Sequence, residues 1–135
     1  MTQEDKELIF KELCARLPYH VKCKIWLKDG TTEEGLLDLQ HNYGNVLQDA
    51  FYYNKIKDIK PYLLPLSSMT EEEKEEYCQL QQRVIYNSKG VINEDVIKYI
   101  NWCYKKHLDI NNLIPMELAI DATGLNIYDK AKMNF

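Results

Sequence analysis

A change of hydrophobic period near residue 20 constrains the fold of this chain more than any other feature. From residue 21 onward, apolar and mostly basic positions alternate: Val21, Cys23, Ile25 and Leu27 against Lys22, Lys24, Trp26 and Lys28. Alternation with a period of two is typical of a half-buried β-strand. Asp29-Gly30 follows directly and predicts a tight turn, because glycine adopts a positive φ without steric cost. The pattern therefore predicts a β-hairpin.

Further strand-like patterns follow this turn, over the ranges 34–39, 46–53 and 56–66. Gly35 marks a bend or a bulge in the first of them. Pro61 and Pro65 confine the last run to a sheet edge or a break, because proline donates no ladder hydrogen bond. Four or five short strands after one helix predict a small, strongly bent antiparallel sheet or barrel.

Helices are predicted on both sides of the β-region. Thr2-x-x-Asp5 can cap a first helix that ends before Pro18, and Thr70-x-x-Glu73 is a capping box for a second. Stop signals over 87–90 and a cap at Asn93 separate the second helix from a third. Their predicted apolar stripes are Leu8/Ile9, Leu13 with Cys14, and Leu17; then Tyr77, Leu80, Val84 and Ile85; then Val96/Ile97, Ile100, Cys103/Tyr104 and Leu108.

The chain has 135 residues, of which 45% are hydrophobic, and this is enough to bury a core without disulfides or metals. We predict an α+β protein in three parts. A helix and a small barrel occupy residues 1–66, a helical C-terminal part occupies 67–122, and a loosely held tail occupies 123–135.

Composition narrows the possible partners and the compartment. A net charge of −4 excludes bulk, non-specific nucleic-acid binding, which depends on clustered Lys and Arg. Neither the apolar run of a signal peptide nor a membrane-spanning run is present, so we expect no export signal and no membrane contact. Four cysteines without a C-x-x-C pair then indicate a reduced, cytoplasmic protein.

One metal hypothesis arises from the residues. His20 and Cys23, together with Cys103 and His107 on one helix face, are the types of ligand that zinc takes. However, residues three apart on a strand point to opposite faces, so His20 and Cys23 would not converge. Cys103 also lies on an apolar stripe, where a free cysteine packs as a small hydrophobe. We therefore predict no metal and no other cofactor.

Catalytic motifs are missing from the sequence. It contains no Gly-rich phosphate loop, no G-x-S-x-G elbow and no H-E-x-x-H. The densest carboxylate cluster, at 71–76, fits a solvated helix start better than a paired acid and base. We predict that the protein is not an enzyme.

Three segments of the β-region form a recognisable pattern: Leu27-Lys28-Asp29-Gly30, Gly35, and Asn45-Val46-Leu47-Gln48-Asp49-Ala50. Within residues 21–50, this pattern resembles the first motif of Sm and Sm-like RNA-binding proteins. The resemblance implies a helix followed by a five-stranded bent antiparallel barrel of the SH3-like or Sm-like kind, and a loop after the second strand that holds a uracil base of single-stranded RNA.

Carried over by position, the resemblance makes Tyr43 the residue that stacks on the base and Asn45 the one that hydrogen-bonds its edge. His41 replaces the Asp that the family has at the start of this loop, and one residue is missing after Asn45. Lys57 is the counterpart of the basic residue in the second motif, which here lacks its glycine. The plain alternative is that Tyr43 and Asn45 only build the loop.

A second resemblance covers most of the chain. It is carried by the segments 1–7, 13–19, 59–63, 67–73, 113–114 and 118–120. These segments resemble a family of short Bacteroides proteins, several of which lie in prophage-like or other mobile regions. Leu64 stands where relatives are expected to have Arg. The resemblance implies kinship and genetic context, but no particular activity.

The functional prediction follows from the absence of catalytic motifs in the sequence and from a surplus of tyrosine. The ten tyrosines are roughly twice an ordinary share, and tyrosine is favoured at interfaces, although a tyrosine-rich core explains them too. We predict a non-enzymatic interaction or adaptor protein of bacterial mobile-element origin, with an unknown protein partner. The alternative is an Sm-like single-stranded RNA-binding protein that uses Tyr43, Asn45 and Lys57.

Overall fold

The computed structural model describes residues 2–36, 56–86 and 94–128. In chain order, these contain α1 (Gln3–Arg16), a 3₁₀ turn (Leu17–Tyr19), β1 (Lys22–Leu27), β2 (Thr32–Leu36), β3 (Ile56–Leu63), a second 3₁₀ turn (Leu66–Ser68), α2 (Glu71–Tyr86), α3 (Glu94–Lys105) and β4 (Ile120–Asp121). The predicted α+β class is confirmed. Among the described residues, no helix has both the length and the apolar character needed to cross a membrane.

The ends of α1 lie where the sequence signals place them. The Asp5 amide donates to Thr2 Oγ1 and the Thr2 amide donates to Asp5 Oδ2, both at 3.1 Å, so the predicted capping pair is a complete capping box. The helix ends at Arg16, and Pro18 lies in the 3₁₀ turn that follows. Proline stops the helix because it lacks the amide donor that another turn would need.

β1 and β2 form the predicted antiparallel hairpin. Asp29 Oδ1 accepts a hydrogen bond from the Thr31 amide at 2.8 Å, and Gly30 adopts a φ of +91°. The prediction of a bend or bulge at Gly35 is wrong, because Gly35 pairs with Cys23 in an unbroken register. The tight turn sets that register from the first pair onward, and the ladder has no extra residue to absorb.

The strands lie in the order β2-β1-β3-β4, with β1 antiparallel to β3 and β4 parallel to β3. The prediction of a sheet edge or a break is confirmed locally, because Pro61 has β1 on one side only and Pro65 follows the end of the strand at Leu63, although β3 as a whole has a neighbour on each side. Proline is tolerated here because β4 pairs only with Tyr62 and Leu63, so no β4 residue lies opposite Pro61.

A β-bulge interrupts the pairing of β1 with β3. Trp26 pairs with Asp58 and Leu27 pairs with Ile56, which leaves Lys57 without a partner on β1. The Lys57 side chain is exposed. The bulge that the sequence analysis placed in β2 therefore occurs in β3.

The strands of the described segments form an open sheet rather than a closed barrel. The predicted run at 46–53, which would supply further barrel strands, lies outside the described residues. Closure into an SH3-like or Sm-like barrel stays a prediction.

The core lies between the sheet, α1 and the segment that follows α3. The predicted alternation in β1 is confirmed, since Val21, Cys23 and Ile25 are fully buried. Their packing partners in the buried cluster are Ile9, Leu13, Ile59, Leu63, Leu113, Leu118 and Ala119. The predicted α1 stripe is correct at Ile9 and Leu13 and wrong at Cys14, which is exposed.

α2 packs mainly against α3, and the two form a helical pair. The Tyr99 hydroxyl donates to the Tyr77 hydroxyl at 2.9 Å, and the Tyr77 and Trp102 ring centroids are 6.1 Å apart. The Thr70–Glu73 capping box is present. No residue of α2 is buried, because α3 covers only one side of it, so its predicted buried stripe is half-buried at Tyr77, Leu80 and Val84 and wrong at Ile85, which is exposed.

The stop signals at 87–90 and the cap at Asn93 lie outside the described residues, as does the end of the predicted tail at 129–135. Within the tail, Tyr128 is tied to the sheet. Its hydroxyl donates to the Tyr62 carbonyl at 2.7 Å and accepts from the Lys22 amide at 2.9 Å. The predicted loose attachment therefore does not apply to Tyr128.

Candidate functional site

The structure describes only one of the four residues that the Sm-like resemblance singles out. His41, Tyr43 and Asn45 lie outside the described residues. Lys57 is the exposed, unpaired residue of the β3 bulge. Their convergence on one RNA site therefore stays a prediction.

The sheet face that points away from the core carries an aromatic and basic group. Lys24 and Lys60 face each other across β1 and β3, and Trp26 is half-buried next along β1. The Nζ atoms of Lys24 and Lys60 lie 5.3 and 5.6 Å from the Trp26 ring centroid, within the range of cation–π attraction. We call these three residues the Trp26 group.

A second polar contact lies beside the Trp26 group on the same face. Tyr62 Oη donates to Glu34 Oε1, and Lys22 Nζ lies 3.6 Å from Glu34 Oε2. The hydrogen bond from Tyr62 holds the pKa of the Glu34 carboxyl below its usual value, while burial and Glu34 raise the pKa of Tyr62 to about 12. Glu34 therefore stays ionised and neutralises Lys22.

A buried charged cluster joins α1 to the segment after α3. Arg16 is fully buried, and its guanidinium donates to Glu12 Oε2 at 2.8 Å and to the Leu108 carbonyl at 2.7 Å. The guanidinium also lies 4.7 Å from the Tyr104 ring centroid, and Asn111 donates to the other Glu12 oxygen. Removing one member of such a pair leaves an uncompensated buried charge. This cluster maintains the fold and offers no open surface to a ligand.

Three of the four residues of the zinc hypothesis, Cys23, Cys103 and His107, are buried near this cluster, whereas His20 is exposed. Burial raises the pKa of Cys23 to about 12 and that of Cys103 to about 11, so both are protonated thiols and weak nucleophiles. Burial also lowers the pKa of His107 to about 3, and its ring stacks on Tyr128 with 3.7 Å between centroids. In the three described segments, no group of three or more His, Cys, Asp or Glu side chains is placed to hold a metal ion.

The helical pair exposes large apolar side chains. Ile85 and Tyr86 at the end of α2 are 65% and 82% exposed, and Ile97 and Ile100 of α3 are 49% and 36% exposed. We call these four residues the hairpin surface; they lie on the α2–α3 pair and not on the β1–β2 hairpin. Ile97 and Ile100 are three apart and share one side of α3, whereas Trp102, which contacts α2, lies on another. α2 therefore leaves the Ile97 side of α3 uncovered.

Sequence reasoning missed the two central residues of these sites. Arg16 follows Glu12 at i, i+4, but such a pair is usually a surface pair, and only the packing of residues 108–111 over α1 buries it. Trp26 did carry a local signal, because it is the one aromatic residue in the polar series of β1. Its contact with Lys60 depends on the register between strands, which the sequence does not specify.

Comparisons with other proteins complete the description of these sites. The chain matches no protein-family model, no curated protein and no solved structure. The resemblances to Sm-like proteins and to short Bacteroides proteins therefore stay predictions.

Proposed function

We propose that this chain is a non-enzymatic interaction protein that binds another protein through the hairpin surface. The observation that carries the proposal is the exposure of Ile85, Tyr86, Ile97 and Ile100 on one helical pair. Scattered apolar residues are normal on a protein surface, but four of the eight large hydrophobic residues that are exposed in the described part of the chain lie on this one helical pair, and such a concentration marks interaction sites. An aromatic residue beside aliphatic ones is also the composition of an interface core.

The burial pattern of the two helices supports this role. A helix in a soluble domain normally buries an apolar stripe, because packing supplies most of its stability. α2 buries no residue and α3 buries only Cys103. A partner packed on the pair would supply the burial that the free chain lacks.

Three finer features belong to the same proposal. The cytoplasm suits the four free cysteines, two of which, Cys14 and Cys78, are exposed thiols that an oxidising compartment would modify. We further propose closure of the sheet into an SH3-like barrel, and a mobile-element origin. The Sm-like RNA-binding alternative rests on the loop at 41–45, which lies outside the described residues.

A pair of matched variants tests the hairpin surface. Met116 is as exposed as Ile97, at 49%, but lies outside the helical pair, so Met116→Glu controls for Ile97→Glu. Each form is expressed at its natural level in the native host. Its partners are crosslinked to it in the cells, and the crosslinked proteins are then quantified. We expect one protein to be recovered with the parent and with Met116→Glu and to be lost with Ile97→Glu. Equal recovery by all three forms, or no specific protein, would contradict the proposal.

Self-association is measured in the same series, because a second copy could cover the hairpin surface. Sedimentation of the purified parent should show one species, and the purified Ile97→Glu variant should sediment in the same way. A parent dimer that Ile97→Glu dissociates would overturn the proposal of a different partner protein.

A further inference from the structure

The outer face of the sheet carries an electrostatic arrangement that is unfavourable in the free chain. Lys24 and Lys60 lie directly opposite each other on antiparallel strands, and like charges in that position destabilise a sheet. Glu34 lies opposite Lys24 on β2 and attracts it, but its ion pair is with Lys22 at 3.6 Å; among the described residues, neither Lys24 nor Lys60 has a carboxylate oxygen within 4 Å. An anion bound between Lys24 and Lys60 would relieve this repulsion.

The Trp26 ring adds a second requirement to the ligand. Both ammonium groups lie over this one half-buried ring. Because lysine side chains are flexible and their attraction to a ring at an exposed site is weak, a planar group can displace them from the ring face. The displaced ammonium groups then remain beside the ligand, within reach of its charges. The preferred ligand therefore has a flat aromatic part and flanking negative charges.

We propose that the Trp26 group binds single-stranded nucleic acid, with one base stacked on Trp26 and the flanking phosphates held by Lys24 and Lys60. Stacking on an aromatic side chain beside basic residues is how proteins bind single strands without reading sequence. Bases of a duplex are already stacked and paired, so they cannot reach Trp26. The site contains no donor directed at a base edge or a 2′-hydroxyl among the three residues, so DNA and RNA strands both bind.

The charge balance limits the strength of this site. The chain carries a net charge of −4, and Asp58 lies opposite Trp26 on β3. Long-range attraction therefore contributes little, and affinity comes from the local contacts. This site shares no residue with the hairpin surface, and it does not depend on the proposed protein partner.

Fluorescence of Trp26 reports stacking directly. The chain has two tryptophans, so Trp102→Phe, which retains a ring next to Tyr77, leaves Trp26 as the only indole. Titration with short oligothymidine at low salt should quench this fluorescence, and oligouridine should bind with similar affinity. Duplex DNA of the same length and inorganic polyphosphate should bind much more weakly. Equal binding of polyphosphate would overturn the proposal, because the site would then respond to charge alone.

Variants separate stacking from charge. Measured by anisotropy of labelled oligothymidine, Trp26→Ala should weaken binding by about 5- to 150-fold, while Trp26→Phe should retain most of it. Lys24→Gln and Lys60→Gln should each reduce the slope of log K against log salt by about 0.7. Lys98→Gln removes the same charge from α3, where Lys98 pairs with Glu94 at 3.5 Å, and should leave that slope unchanged.

Three results would contradict this site. They are the absence of binding at low salt, equal affinities of the parent and a folded Trp26→Ala chain, and equal salt slopes for Lys60→Gln and Lys98→Gln. Urea denaturation would reveal whether Trp26→Ala fails to fold. In that case, Trp26→Phe and the lysine variants still decide whether the Trp26 group binds the strand. Loss of binding on Tyr43→Ala, with Trp26→Ala unaffected, would place the site in the loop and overturn the assignment to the sheet.

Discussion

The sheet-centred body and the α2–α3 pair use their apolar residues in opposite ways. In the body, residues such as Val21, Ile25 and Leu63 are completely removed from solvent. In the helical pair, α2 buries nothing, and Ile85 and Ile97 remain about half exposed or more. Both regions have capped helices and regular apolar patterns, so the difference arises from the number of neighbours that each element has.

Similar sequence patterns therefore serve two purposes in this chain. The body surrounds α1 and the sheet on enough sides to bury even the charged side chains of Arg16 and Glu12. In the helical pair, α2 packs mainly on α3, and α3, which also contacts α1 through Tyr104, buries only Cys103, so the pair leaves an apolar surface for something else. Substitutions should therefore affect stability in the body, and binding in the helical pair.

The largest expected contrast is between two arginines. Arg16→Leu leaves Glu12 buried without its charge partner, so we expect a loss of about 3–5 kcal/mol in the free energy of unfolding. Arg83→Leu, in exposed surroundings on α2, should change it by less than about 0.5 kcal/mol. Urea denaturation of both variants measures the contrast, and similar losses would remove the distinction between the regions.

A second contrast compares two aliphatic side chains. Leu63 is fully buried between β1 and β4, and Leu63→Ala should cost about 2–5 kcal/mol by lost burial and a cavity. Ile85→Ala removes a side chain that is 65% exposed and should cost less than about 0.5 kcal/mol. The same denaturation experiment applies. A large loss at Ile85 would mean that its side chain is buried in solution.

The pH dependence of stability tests the burial of His107 in the body. Burial holds the pKa of His107 at about 3, below its ordinary value of 6.5, so between these values the unfolded chain binds the extra proton. Stability should therefore fall as pH falls from 6.5 towards 3, by up to about 1.4 kcal/mol per pH unit from this residue. His107→Asn tolerates the local φ of +58° and should show a shallower slope between pH 4 and 6. Identical slopes would show that His107 is accessible to protons.

Local features were predictable where a few neighbouring residues decide them. The Thr2–Asp5 and Thr70–Glu73 caps, the Asp29-Gly30 turn and the alternation in β1 all follow from spacing within a short segment. The error at Gly35 has a physical cause. A glycine or a proline permits a bulge or an edge, but the neighbouring strand decides whether one forms.

The candidate sites were less predictable, because they depend on contacts between distant residues. Arg16 donates to Leu108, and Tyr128 binds Tyr62, each across a large part of the chain. The Trp26 group needs the pairing of Lys24 with Lys60, which is set by strand register. β4 is a two-residue parallel strand, too short to leave a periodic pattern.

Native-state hydrogen exchange tests the contrast between the two regions most directly. Amides of α2 should exchange through local openings whose free energies lie well below the global free energy of unfolding, because that helix buries no side chain. Amides paired between β1 and β3 should exchange only through global unfolding. Equal protection of α2 and β1 in the isolated chain would contradict the account, since the helical pair would then be as firmly packed as the body.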